Sequence, residues 1–131
     1  MYLFDTMILS YPIRQDPLAA LYRSQLTSGE RIFVSCQTVG EIRFGAVKKN
    51  WGPDRIQKPL KIVNYFAVLP LNEVTATIYG DIRAGASRLG RPLLSQDAWI
   101  LATAKQYNLI LVSHDSDVSV GNEFGIKTIK R

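Results

Sequence analysis

The feature that most constrains this chain is an alternation between two kinds of segment. Short apolar runs rich in strand formers recur at Tyr2–Phe4, Ile32–Val34, Val68–Leu71, Leu109–Val112 and Ile126–Ile129, and segments with helical spacing separate them. Strands that alternate with helices pair in parallel, because each crossover returns the chain to the same edge of the sheet. The pattern predicts an α/β fold with a central parallel sheet flanked by helices. Asp16-Pro17 reads as a helix start and Gly29 as its stop, with Leu18, Leu21, Tyr22 and Leu26 packed on one face. A second helix is expected from Thr38 to about Lys49, and a third after Gly52-Pro53-Asp54, carrying Ile56, Leu60, Val63 and Phe66. The longest is expected over Glu73–Leu89, closed by Gly90. The last is expected to be capped by Ser95 and to run through Tyr107, with Asn108 as a left-handed stop. At 131 residues, the chain reads as one domain spanning 1–131.

Composition narrows the chemistry. A net charge of +5 and a pI near 9.5 favour a polyanionic partner, with nucleic acid first. One cysteine, Cys36, and one histidine, His114, exclude an internal disulfide and a Cys/His zinc cage from this chain alone, which fits a reducing cytoplasm. The longest apolar stretch, Phe66–Leu71, is far short of the roughly 18 residues of a membrane span, and the N-terminus has no basic region of a signal peptide. Neither a Walker A loop nor a GxGxxG motif is present, which argues against an ATPase or a dehydrogenase.

The acids carry the functional reading. Asp5 follows the first predicted strand and Asp115 the fourth, so both fall at the carboxyl ends of parallel strands, where open α/β sheets bind ligands. Glu41 and Asp97 fall in helix N-terminal turns on the same rim. Singly, each has a plain structural use. Glu41 lies at capping-box spacing from Thr38, Asp97 complements a helix dipole, Asp5 caps the next helix, and Asp115 and Asp117 make local turn bonds. Together they repel one another unless a cation neutralises them, so the set makes sense around a hard metal, Mg²⁺ or Mn²⁺. Such an ion suits phosphodiester hydrolysis.

The sequence resembles the PIN domain family in three places. YLFDTMIL resembles its Asp-Thr-Asn opening, SCQTVGEIRFGA its second motif, and GRPLLSQDAWILATAKQYNLILVSHDSD its G-R-P, D-x-x-I-A-A-x-A and V-T-x-D/N signature. The order and extent look most like the VapC-type toxins of toxin–antitoxin modules. The resemblance implies a three-layer PIN-like fold and a metal-dependent endoribonuclease with Asp5, Glu41, Asp97 and Asp115 as its acids. Asp5, Asp97 and Asp115 are the implied metal ligands and Asp117 a reserve. It also implies a cognate VapB-like antitoxin and a homodimer. The chain departs from the family pattern at Met7, where Asn is usual, and at Val118, where an aromatic is usual. The second departure leaves Asp115 and Asp117 open as alternatives for the fourth acid.

Further candidates surround this set. Thr6 and Ser113 could orient the acids or a bound water. Between Arg43 and Lys61 lie six basic residues and one acid, including Lys48, Lys49 and Lys58, which could hold RNA phosphates or simply form a solvated face. Arg91 could reach a phosphate near the acids. Trp51 could stack a base, although packing over a helix junction is the commoner use, and Trp99 reads as core. The rival readings are a DNA nuclease of the same fold, a non-catalytic RNA-binding regulator, and an aspartyl-phosphate receiver, which lacks its expected acid pair and lysine here.

Overall fold

The computed structural model describes residues 1–130. Its centre is a five-stranded sheet, β1 (Tyr2–Phe4), β2 (Ile32–Ser35), β3 (Ala67–Leu69), β4 (Ile110–Val112) and β5 (Thr128–Ile129), in the order β3-β2-β1-β4-β5. Every pairing is parallel. Successive side chains of a strand point to opposite faces, and the register turns this into two cores. Leu3 aligns with Phe33 and Leu111 on one face, and Phe4 with Val34 and Val112 on the other.

Helices α1 (Thr6–Ile13), α3 (Cys36–Lys48) and α4 (Pro53–Asn64) cover the Phe4 face, where Ile8, Leu9, Tyr11, Tyr22 and Val63 are buried. Helices α5 (Glu73–Arg88) and α6 (Ser95–Gln106) cover the Leu3 face with Ile82, Ala86, Ala98, Leu101 and Ala102. This is the expected three-layer α/β arrangement. Among the described residues, no helix is long and apolar enough to cross a membrane.

Several local expectations are corrected. Helix α1 forms despite Pro12, because Asp5 caps it through a 2.7 Å bond from the Thr6 amide. After the Asp16 cap the chain forms a 3₁₀ turn over Pro17–Tyr22 and only a short α2 (Arg23–Leu26). The tighter winding breaks the shared face, so Tyr22 is buried while Leu18, Leu21 and Leu26 stay exposed. Helix α3 starts at Cys36, not Thr38, since Ser35 is its cap and accepts from the Gln37 amide. That removes the capping-box role for Glu41. Ser95 is the first residue of α6 and not its cap; its hydroxyl meets Tyr79 instead. Trp99 is half-buried, stacked on Tyr79 at 4.0 Å, outside the core. Strand β3 ends at Leu69, two residues before the expected Leu71, and β5 is only Thr128–Ile129. Gly90 and Asn108 both adopt left-handed φ, at 71° and 52°, as helix stops.

Candidate active site

The strand order places a switch point between β1 and β4. From β1 the chain moves to β2 on one side, and from β4 to β5 on the other, so the crossovers diverge and leave a crevice at the carboxyl ends of the two strands. Asp5 leaves β1 into that crevice. Both of its oxygens are engaged, Oδ1 by the Thr6 amide at 2.7 Å and Oδ2 by the Ser113 hydroxyl at 2.8 Å. Ser113 is fully buried at the end of β4, and its Oγ also accepts from the Asp115 amide at 3.1 Å. One buried hydroxyl thus ties the ends of the two central strands together.

Asp115 in turn caps the 3₁₀ segment Ser116–Phe124, accepting from the Asp117 amide at 2.9 Å. That segment lies directly on α6. A Cβ on Gly121 would stand 2.6 Å from Leu101 Cδ2, so any larger residue there would push the Leu101 side chain aside. The packing brings Asp115 and Asp117 beside Asp97, the third residue of α6, with one carboxylate oxygen from each within 4.8 Å of the others. Glu41, in the second turn of α3, enters from the other side. Gln37, one turn earlier, donates its Nε2 to Glu41 Oε1 at 2.9 Å, and the Thr6 and Thr38 hydroxyls bond at 3.0 Å where α1 meets α3.

Asp5, Glu41, Asp97 and Asp115 line one cleft of about 320 Å³, with Thr6, Met7, Gln37 and Gln96 among its other walls. Desolvation, followed by the charges of Asp115, Asp5, Asp117 and Glu41, pushes Asp97 up to about 6. Burial raises Asp5 as well, reinforced by Glu41 and Asp115 and opposed by the Ser113 and Thr6 bonds. Among the described residues, none of these acids is in an ion pair that would relieve this crowding. Among the described residues the ion pairs are Met1–Glu30 and Arg14–Asp16, and no lysine or arginine lines the cleft. An all-oxygen, uncompensated acidic donor set fits a hard divalent cation.

The remaining candidates are distributed around this centre. Thr6 and Ser113 touch Asp5 directly, and Asp117 is an exposed member of the Asp97–Asp115 group. Lys49 and Lys58 line a separate basic pocket, Lys48 lies over the Phe44 ring, and Arg91 donates to Ser119 Oγ at 2.8 Å. Met7 stands at the cleft wall, 41% exposed, and offers no amide there. Val118 is buried in the core, so the chain closes the Asp115 loop with a small aliphatic anchor. Sequence reasoning missed Gln37. Its amide nitrogen holds Glu41, while its Oε1 is buried with no hydrogen-bond partner among the described residues. The four-residue spacing of Gln37 and Glu41 becomes a signal only once the helix is started before Gln37, as Ser35 at its cap requires.

Sheet and site together define an α/β domain with an acidic centre at the carboxyl edge of its central strands. The PIN domain profile matches residues 2–121, and the chain belongs to the PIN domain family. Among similar proteins, Toxin FitB of Neisseria gonorrhoeae is 32% identical over 137 residues, covering 93% of this chain and 97% of that protein. Ribonuclease VapC2 of Haemophilus influenzae is 32% identical over 114 residues, covering 87% and 86%. Among solved structures, FitAcB from Neisseria gonorrhoeae superposes with a TM-score of 0.83 at 28% identity, covering 99% of this chain and 97% of that one.

Proposed function

We propose that this protein is a divalent-metal-dependent endoribonuclease, the VapC-like toxin of a toxin–antitoxin module, acting in the cytoplasm. The observation that carries the reading is the convergence of Asp5, Glu41, Asp97 and Asp115 in one cleft without a neutralising protein cation. The names of the relatives support it: a toxin, a ribonuclease VapC2, and a tRNA(fMet)-specific endonuclease VapC of Shigella flexneri at 29% identity. The FitAcB and VapBC structures point to a VapB-like antitoxin as partner.

Asp5, Asp97 and Asp115 would hold Mg²⁺ or Mn²⁺, with Asp117 close enough to join them. When bound, such an ion acidifies water, orients a phosphate and stabilises the leaving oxygen. The chain's own residues fix the geometry. Thr6 and Ser113 clamp Asp5 so that it cannot rotate away from the crevice. Gln37 fixes Glu41 through Oε1 and leaves Oε2 without a hydrogen bond, placing a carboxylate oxygen to accept a proton from an attacking water.

The test is cleavage of single-stranded RNA by the purified chain in Mg²⁺, in Mn²⁺ and in chelator, with Asp97→Asn beside it and DNA in parallel. Metal-dependent RNA cleavage lost in the variant is the expected result. Cleavage of DNA alone would assign a DNA nuclease, and RNA binding without cleavage a non-catalytic regulator.

A further inference from the structure

A second pocket, of about 400 Å³, opens between the end of α1 and the α3–α4 junction, walled by Arg14, Lys49, Trp51, Arg55 and Lys58. A third cavity lies between it and the acidic cleft. Lys49, Trp51 and Arg14 also line a smaller cavity of about 160 Å³, and that cavity shares Thr6, Ser10 and Glu41 with the cleft. The three therefore lie side by side along α1 and α3, acidic at one end of the row and basic at the other.

At the basic end only Arg14 is paired, with Asp16 at 3.5 Å. Among the described residues, Lys49, Arg55 and Lys58 make no ion pair. Two of these cations lie over the half-buried Trp51 ring, Arg55 at 4.3 Å from its centroid and Lys49 at 5.5 Å. The indole and guanidinium are thereby held in place beside free positive charge. Planar aromatic and guanidinium surfaces stack unpaired bases, while lysine and arginine at the same spot hold phosphates. A strand drawn toward the acidic cleft is repelled by its carboxylates, so the electrostatic attraction must come from elsewhere along its path.

We propose that this pocket is a nucleotide subsite for the single-stranded RNA flanking the scissile bond, with Trp51 as the base platform and Lys49, Arg55 and Lys58 as phosphate contacts. The proposal rests on the ribonuclease reading and deepens it by naming where the substrate strand runs. It assigns Trp51 a role beyond packing the helix junction.

The experiment measures binding of a labelled 12-nucleotide single-stranded RNA to the full chain in chelator, by fluorescence anisotropy across a salt series. Trp51→Ala is expected to weaken binding about 10-fold, with Trp51→Phe recovering most of the loss. Arg55→Gln/Lys58→Gln, at exposed positions, is expected to lower the slope of log affinity against log salt by about 1.4. Parental affinity and slope in both Trp51→Ala and Arg55→Gln/Lys58→Gln would overturn the proposal, as would an equal loss in Trp51→Phe. Loss of antitoxin binding with RNA binding unchanged would also overturn it, making the pocket a protein-docking site. RNA held through the pocket but never cut in Mg²⁺ or Mn²⁺ would support the subsite and remove the ribonuclease reading. Cutting that ignores these substitutions would do the reverse.

Discussion

Replacing Asp97 by Asn should stabilise the metal-free protein above neutral pH. In the folded chain Asp97 is raised from the ordinary 3.8 to about 6, first by desolvation and then by Asp115, Asp5, Asp117 and Glu41. A folded pKa above the unfolded one means that the native state favours the protonated acid. Asp97 therefore costs nothing below about pH 4, and its cost grows as pH rises through about 6. A shift of about 2 units corresponds to ~3 kcal/mol at 1.36 kcal/mol per unit. The side chain is only partly buried, and a carboxylate in the first turn of α6 also gains from the helix dipole. Solvent screening and that gain reduce the expected net effect to about 1 kcal/mol. For a domain of this size that is a rise of roughly 3–5 °C in melting temperature. The assay is thermal unfolding in chelator at pH 8 and at pH 4, followed by unfolding in saturating Mg²⁺. Asp97→Asn should melt higher at pH 8, equally at pH 4, and lower than the parent in Mg²⁺. A variant that melts at or below the parent at pH 8 in chelator would refute the claim that the cluster carries uncompensated charge.

Mg²⁺ or Mn²⁺ at about 100 times its dissociation constant should stabilise the parent by roughly 2.7 kcal/mol and leave Asp5→Asn unmoved; equal melting shifts in both would place the ions elsewhere. Ser113→Ala removes the hydroxyl that bonds both Asp5 Oδ2 and the Asp115 amide, so urea unfolding should show a loss of about 1–3 kcal/mol. Its metal affinity, read by calorimetry, should fall about 10- to 100-fold, and an unchanged affinity would mean that Asp5 is positioned without Ser113. Co-expression with the adjacent reading frame should yield an inactive complex in which a basic residue of a VapB-like antitoxin approaches Asp5, Glu41, Asp97 and Asp115; undiminished cleavage by a stoichiometric complex would rule out inhibition by occupying the cleft.

What was legible in the sequence was what depends on short-range pattern. Alternating runs located all five strands, and the acids at strand ends could be placed on one rim, because a parallel sheet puts every strand's carboxyl end on the same side. What failed depended on competition between local alternatives. Ser35 and Thr38 are both good caps, and spacing to Glu41 favoured Thr38. The fold favours Ser35, because β2 runs to that residue and Thr38 is instead drawn to Thr6 across the α1–α3 contact. The same contact decides the site. Once α3 starts two residues early, Gln37 falls one turn before Glu41 and holds its carboxylate at the cleft wall, an arrangement that a helix beginning at Thr38 would not contain. The pairing of Asp115 with Asp117 depends on tertiary packing in a similar way. Gly121 lets the 3₁₀ segment settle on α6, and the cap that Asp115 makes to the Asp117 amide then brings both carboxylates toward Asp97. Sequence spacing posed these residues as alternatives, whereas the packing makes them neighbours, with one carboxylate oxygen of each within 4.8 Å of the others and of Asp97, so the choice between them is a matter of tertiary contact that no local pattern encodes.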